Sequence, residues 1–162
     1  MTSPFPRALL LGAVVGMRSQ LPIALLGLES SRGRFDPGRS RLARRLATPG
    51  GVAAAVLASV GEFVGDKLPV IPDRTRPGPF AGRVAIGTLV GAAVYQDANR
   101  PAAYGAALGA AAAAASTLAL ARARTTLGRR TPLPDLAWGI VEDSLALTLG
   151  LLAVRSGAAS ST

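Results

Sequence analysis

The stretch Gly61-Glu62-Phe63-Val64-Gly65-Asp66-Lys67-Leu68-Pro69 places three ionisable residues inside an apolar run that extends from Gly50 to Ile71. That run has about the length of a membrane-spanning helix. Each charge at the centre of a bilayer raises the insertion free energy by roughly 2.5–3.5 kcal/mol, so such residues persist where they face partners or water inside a bundle. Glu62 and Asp66 are one helical turn apart and share a face. The stretch predicts a polytopic membrane protein with a buried charged centre.

Composition agrees with this reading. The chain has 162 residues, of which 49% are hydrophobic and only 4% aromatic, with 19 glycines. Such a balance suits helices that pack through small residues. Cysteine and histidine are both absent, which excludes disulfides, thiolate nucleophiles and imidazole acid–base or metal chemistry. A metal site, were there one, would be built from oxygen ligands. The formal net charge is +9, and most of the arginines lie between apolar runs. That placement predicts topology control and contact with anionic lipid headgroups rather than nucleic-acid binding.

Five apolar segments follow one another. Ala8–Leu28 is interrupted by Arg18, Ser19 and Gln20 and carries Pro22, so it is kinked or broken there, as a crossing segment or as a re-entrant one. It lacks the cleavage pattern of a signal peptide and reads as retained. A basic connector over residues 29–49, with a short interfacial helix over Ser40–Leu46, leads to the second segment, Gly50–Ile71. Phe80–Tyr95, Ala102–Ala121 and Leu136–Val154 complete the set, with Asp135 as an N-cap and Trp138 at interfacial depth. The expected fold is all-α: one transmembrane bundle of about five spans over residues 1–155, with a disordered tail over 156–162.

With five crossings, seven arginines collect on one side and eight on the other, so charge does not orient the chain. Gly-x-x-x-Gly pairs at Gly12/Gly16, Gly61/Gly65, Gly87/Gly91 and Gly105/Gly109 predict close helix approach. The pair Gly87/Gly91, on one face with Arg83, points to a homo-oligomer, a dimer. Arg83 and Lys67 read as side chains that snorkel to the interface.

Arg18 and Glu62 both fall near the middle of their segments, and an ion pair of Arg18 with Glu62 or Asp66 is expected. Glu142 and Asp143 add adjacent carboxylates on the last segment, and Ser19 lies beside Arg18. Like charges brought together out of water repel unless a proton, a cation or an arginine intervenes. The expectation is therefore one ion site formed by Arg18, Ser19, Glu62, Asp66, Glu142 and Asp143. Arg74, Thr75 and Arg76 form a candidate contact for an anion or headgroup. The order of Gly-x-x-x-Gly helix, basic loop and acid-bearing helix occurs in Gly12–Lys67 and again in Gly105–Ser144, which echoes the inverted repeats of small transporters.

Gly16-Met17-Arg18-Ser19-Gln20-Leu21-Pro22, Glu62-x-x-x-Asp66-Lys67-Leu68-Pro69, Arg74-Thr75-Arg76-Pro77, and Pro134-Asp135 followed by Glu142-Asp143 together resemble an uncharacterised family of small bacterial integral-membrane proteins, domain of unknown function 4126. The resemblance implies a multi-pass protein of the bacterial cytoplasmic (inner) membrane and supplies no activity, substrate or cofactor. The charges alone then point to a small transporter or channel-like protein for a proton, small cation or ion-coupled solute. The alternatives are a scaffold or assembly factor whose buried charges only join helices, and a membrane enzyme holding Mg²⁺ on its carboxylates. The last lacks a nucleophile motif or a histidine base, so no enzyme and no cofactor are expected.

Overall fold

The computed structural model describes residues 3–35, 44–45, 48–65, 75–128 and 135–158. Among them the protein is helical without strands. The helices are α1 (Pro4–Met17), α2 (Leu21–Ser31), α3 (Pro49–Gly65), α4 (Pro77–Asp97), α5 (Ala102–Gly128) and α6 (Asp135–Ala158).

The first apolar segment is divided into α1 and α2 at Arg18, which is extended with φ −136° and ψ 105°. Pro22 dictates the break. A helix continuous through residues 18–22 would press the proline ring against the Arg18 carbonyl and leave that carbonyl without its donor. In the first turn of a new helix the missing N–H is harmless, and α2 accordingly starts at Leu21 with Pro22 near its N-terminus. Ser3 caps α1, its hydroxyl oxygen accepting from the Phe5 N–H at 3.3 Å.

The two arms fold back on each other. The Arg7 guanidinium carbon lies 5.0 Å from the centroid of the Phe35 ring, although Arg7 is near the start of α1 and Phe35 follows the end of α2. In line, α1 and α2 would separate these points by about 35 Å at 1.5 Å per residue, beyond what four residues and two side chains can recover. Gly150 of α6 agrees with the bend, because a Cβ there would meet both Leu25 of α2 at 2.6 Å and Val14 of α1 at 3.9 Å. Both arms therefore rise along α6 from a tip at Arg18-Ser19-Gln20. Ala24 of α2 clusters with Ala55 of α3, so α3 descends antiparallel to α2.

Arm α1 is deeply enclosed, with Ala8, Leu11, Val14 and Val15 at 0% exposure. It packs on α4, α5 and α6, whereas α2 packs on α3 and α6. Gly109 of α5 is the meeting point of three helices. A Cβ on Gly12 of α1 would stand 2.8 Å from the Gly109 carbonyl oxygen, and one on Gly87 of α4 would stand 2.6 Å from it. Gly91 and Gly105 face each other in the same manner, and Gly16 lies against Ala113 and Thr117. Three of the four Gly-x-x-x-Gly pairs are thus used within the chain. This corrects the assignment of Gly87 and Gly91 to a dimer contact, since their face is covered by α5. Gly61 of α3, by contrast, borders open space: among the described residues, nothing lies within 4 Å of where its Cβ would be.

Several boundaries differ from the sequence reading. Helix α5 continues past Ala121 to Gly128, because arginine is a good helix former and both Thr125 and Thr126 donate their hydroxyls to the Arg122 carbonyl at 2.8 Å. Helix α6 runs to Ala158 and takes in residues 156–158 of the expected tail. The end of the second segment, from Asp66 to Ile71, lies outside the described residues, as does most of the expected helix over Ser40–Leu46. Among the described residues, two helices, over Ala102–Thr126 and Ala137–Ser156, are long and apolar enough to cross a membrane by length and composition.

Between α4 and α5 the chain reverses through Asn99, whose φ of 56° is left-handed. Its short polar side chain is among the few that tolerate this conformation. The Arg100 N–H closes the turn on the Tyr95 carbonyl at 2.8 Å.

Candidate functional site

The break in the first segment leaves two half-helix ends facing the interior. Helix α1 presents carbonyls that its own backbone cannot pair, the negative end of its dipole, and α2 presents N–H groups in the same condition, the positive end. Neighbouring helices supply the opposite charge to each.

Glu62, three residues from the end of α3, reaches the α2 end. Its Oε1 accepts from the Ser19 N–H at 2.8 Å and from the Ser19 hydroxyl at 2.7 Å, and its Oε2 accepts from the Gln20 N–H at 2.9 Å. The carboxylate therefore acts as a cap delivered from another helix. Arg83 of α4 serves the α1 end. Its Nη1 donates to the carbonyls of Val15, Gly16 and Met17 at 3.3, 3.0 and 3.3 Å. The Thr117 hydroxyl of α5, which donates to Ala113 at 2.7 Å, also lies 3.5 Å from the Gly16 carbonyl. Arg83 Nη2 and Glu62 Oε1 are 3.5 Å apart, so the two caps join one another.

Arg18 occupies the extended position between the arms and is 2% exposed. Its Nε donates to Asp143 Oδ1 of α6 at 2.6 Å, and its Nη2 also pairs with that oxygen. Arg18 thus pairs with Asp143 on α6, and Glu62 is held by Ser19, Gln20 and Arg83. The Asp66 half of the expected pairing lies outside the described residues.

The tip is deep. Thr117 stands about 22 Å along α5 from Ala102, and about 16 Å of that helix remains beyond it. Asp143 likewise stands about 12 Å into α6. The arrangement is therefore an arginine–carboxylate network near the middle of the longest helices, carried on α3, α4 and α6 and closed around a hairpin tip.

The structure brings Arg18, Ser19, Glu62 and Asp143 together at this tip. Glu142 does not join through the same face. It is buried, and its Oε2 lies 4.0 Å from Nη2 of Arg124, a residue of α5 nearer the far end of the bundle. Adjacent helix positions diverge by about 100°, which separates the two carboxylates. Thr75 and Arg76 are exposed before α4, and Arg74 lies outside the described residues. Among the described residues, no group of three or more carboxylates, cysteines or histidines could hold a metal.

Arg83 is the functional residue that sequence reasoning missed. Its position, two turns into α4, suggests a side chain reaching outwards to the interface, but it is 7% exposed and points to the α1 end. The signal lies in the first segment. A helix broken by Pro22 must expose carbonyls, and these require a buried donor from elsewhere.

The model of the family described as Domain of unknown function (DUF4126) matches residues 7–158. The chain belongs to this family. The matched region starts at Arg7, within α1, and runs to the end of α6, so the hairpin tip and each of its charged partners fall inside the family domain. None of the curated proteins and none of the solved structures matches the chain.

Proposed function

We propose that this is a multi-pass protein of the bacterial cytoplasmic membrane in which α3–α6 cross the bilayer around a re-entrant hairpin formed by α1 and α2. The outer faces support this reading. Leu57, Val60 and Val64 on α3, Leu89 on α4, Leu118 on α5 and Ile140 and Val141 on α6 are all exposed, a distribution suited to lipid. Hydroxyls of Thr88, Ser144 and Thr148 donate to carbonyls within their own helices, as polar groups facing an apolar medium must. A hairpin also moves Arg7 to the side of the 32–48 connector, giving nine arginines there against six at the other end. The positive-inside rule then puts the Arg7 end in the cytoplasm.

We further propose that the tip is the ion-handling point of a small transporter or channel-like protein, for a proton, small cation or ion-coupled solute. The observation that carries this is the pair of half-helix ends meeting at mid-depth, each capped by a charge on a different helix. Discontinuous helices with termini at the midplane are the device by which transporters bind ions. Because Glu62, Arg83 and Asp143 sit on separate helices, a relative movement of α3, α4 and α6 would exchange their partners. The internal echo between Gly12–Lys67 and Gly105–Ser144 belongs to the same proposal, as an inverted repeat.

A scaffold or assembly role is the second reading. It is favoured by the neutrality of the pairs Arg18–Asp143 and Arg83–Glu62, which suffices to lock helices together. Flux in proteoliposomes, screened for protons, monovalent and divalent cations and phosphate, separates the two. Transport predicts a flux that Glu62→Gln and Asp143→Asn change when it is normalised to the protein that is folded and inserted. No flux for any of these ions, from protein that is folded and inserted, would favour the scaffold.

A further inference from the structure

A third buried arginine, at the other end of α1, has an unpaired side. Arg7 is 8% exposed. Its Nη1 donates to Asp97 Oδ2 at the end of α4 at 2.7 Å, and its guanidinium face lies on Phe35. Its Nε and Nη2 are buried and have no hydrogen-bond partner among the described residues. These two atoms form one edge of the guanidinium, with parallel N–H bonds spaced for two oxygens of a single oxyanion. The same edge on Arg34 is filled: Nε donates to Glu29 Oε2 and Nη2 to Glu29 Oε1, each at 2.7 Å. On Arg7 no described residue supplies the equivalent acceptor, and a buried guanidinium N–H is unfavourable to leave unpaired.

The surroundings favour an anion. Arg7 is in the first two turns of α1, beside the positive end of the helix dipole. The backbone there offers few competing donors, because Pro4 and Pro6 have no N–H and the Phe5 N–H is taken by Ser3. Arg100, three residues beyond Asp97, adds positive charge to an end already rich in arginine. Asp97 pins the opposite corner of the guanidinium and so fixes the direction of the free edge.

We propose that the Nε/Nη2 edge of Arg7 is a binding site for a phosphate oxyanion, either the phosphodiester of an anionic lipid headgroup or free phosphate. Phe35, which follows the turn at Gly33 (φ 69°), covers the guanidinium face, so an oxyanion meets Arg7 in the plane of the group, at its edge. The site is distinct from the hairpin tip and does not rest on the transport reading.

The test compares thermal unfolding midpoints of the full chain in three nanodisc preparations: phosphatidylcholine alone, phosphatidylcholine with phosphatidylglycerol, and phosphatidylcholine with added inorganic phosphate. The expected result is a rise in midpoint that Arg7→Lys loses, since lysine keeps the charge but not the paired edge. A rise with phosphatidylglycerol alone assigns the headgroup, and a rise with inorganic phosphate assigns the free anion. Phosphorus analysis of the wild-type protein after exhaustive delipidation serves if the variant does not fold, with tightly retained phosphorus expected at one per chain on the order of a single site. A rise that Arg7→Lys retains in full would overturn the proposal, as would wild-type protein that shows no rise and retains no phosphorus.

Discussion

Arg83 and Glu62 stand 3.5 Å apart, and each closes the end of a different half of the broken first segment. Arg83 takes the carbonyls that α1 cannot pair, and Glu62 takes the N–H groups that begin α2. The hairpin tip is thus sealed by charges of the sign that each helix dipole requires.

Replacing Arg83 by glutamine should therefore destabilise the protein strongly. Loss of one member of a buried, hydrogen-bonded charge pair typically costs about 3–5 kcal/mol, and here three carbonyls lose a donor as well. A large fall in detergent unfolding midpoint is expected for Arg83→Gln, with a smaller one for Arg83→Lys, which keeps the charge but not the fork. An unchanged midpoint would show that Arg83 reaches the interface instead.

The pair Arg18–Asp143 is testable by a double-mutant cycle. Arg18→Gln and Asp143→Asn each remove one side of the ion pair, whereas the double variant removes both. The expected coupling is about 1–3 kcal/mol, with the double variant more stable than the sum of the singles predicts. Additive effects would mean that the remaining charge finds another partner without loss.

Much of this arrangement can be traced to particular residues in the sequence. Pro22 requires the break, and Arg18, Ser19, Glu62 and Asp143 are all legible as one charged cluster because ionisable groups in apolar segments must meet. The partners are not legible. Helical periodicity gives the depth of a residue but not the rotation of its helix about a neighbour, so Arg18 can be placed level with Glu62 without revealing that Asp143 takes its guanidinium. Arg83 is hidden for the same reason. The glycine pairs signal close approach, but which helix meets which depends on α5 running between α1 and α4, a matter of tertiary packing.

Gly109 and Gly61 should respond oppositely to the same substitution. Gly109→Leu would drive a side chain into the backbone of α4 at Gly87 and Gly91, where overpacking costs typically about 1–3 kcal/mol and more against a backbone that cannot yield. Gly61→Leu adds its side chain to open space on α3 and should stay within about 0.5 kcal/mol of the parent. Comparable losses for both, measured as folded yield and unfolding midpoint, would contradict the packing of α5.

Glu29, at the end of the second hairpin arm, gives a pH signature. The two-point hydrogen bond from Arg34 holds its carboxyl below the ordinary glutamate range, against the opposing effect of burial, and the charges of Arg34 and Arg32 add to the lowering. A carboxyl whose affinity for protons is reduced by folding contributes stability above its unfolded value, and that contribution fades as pH falls through the lowered folded value. The gap in unfolding midpoint between wild type and Glu29→Gln should therefore be present at neutral pH and close as the solution is acidified. A gap independent of pH would remove the linkage.

The hairpin itself makes the sharpest topological prediction. Ser3 and Ser31 precede and follow it, and both are exposed. If α1 and α2 re-enter, single cysteines at these positions label from the same aqueous phase, together with Ser156→Cys at the end of α6. If instead the first segment crosses, Ser3→Cys and Ser31→Cys label from opposite phases. Thr75→Cys and Thr126→Cys report the other end of the bundle in both cases. The chain has no native cysteine, so each reporter can be read alone. The excess of arginine at the Arg7 end predicts that the first three positions face the cytoplasm. Labelling of Ser3→Cys and Ser31→Cys from opposite sides would require α1 and α2 to run in line, which the contact between Arg7 and Phe35 does not permit.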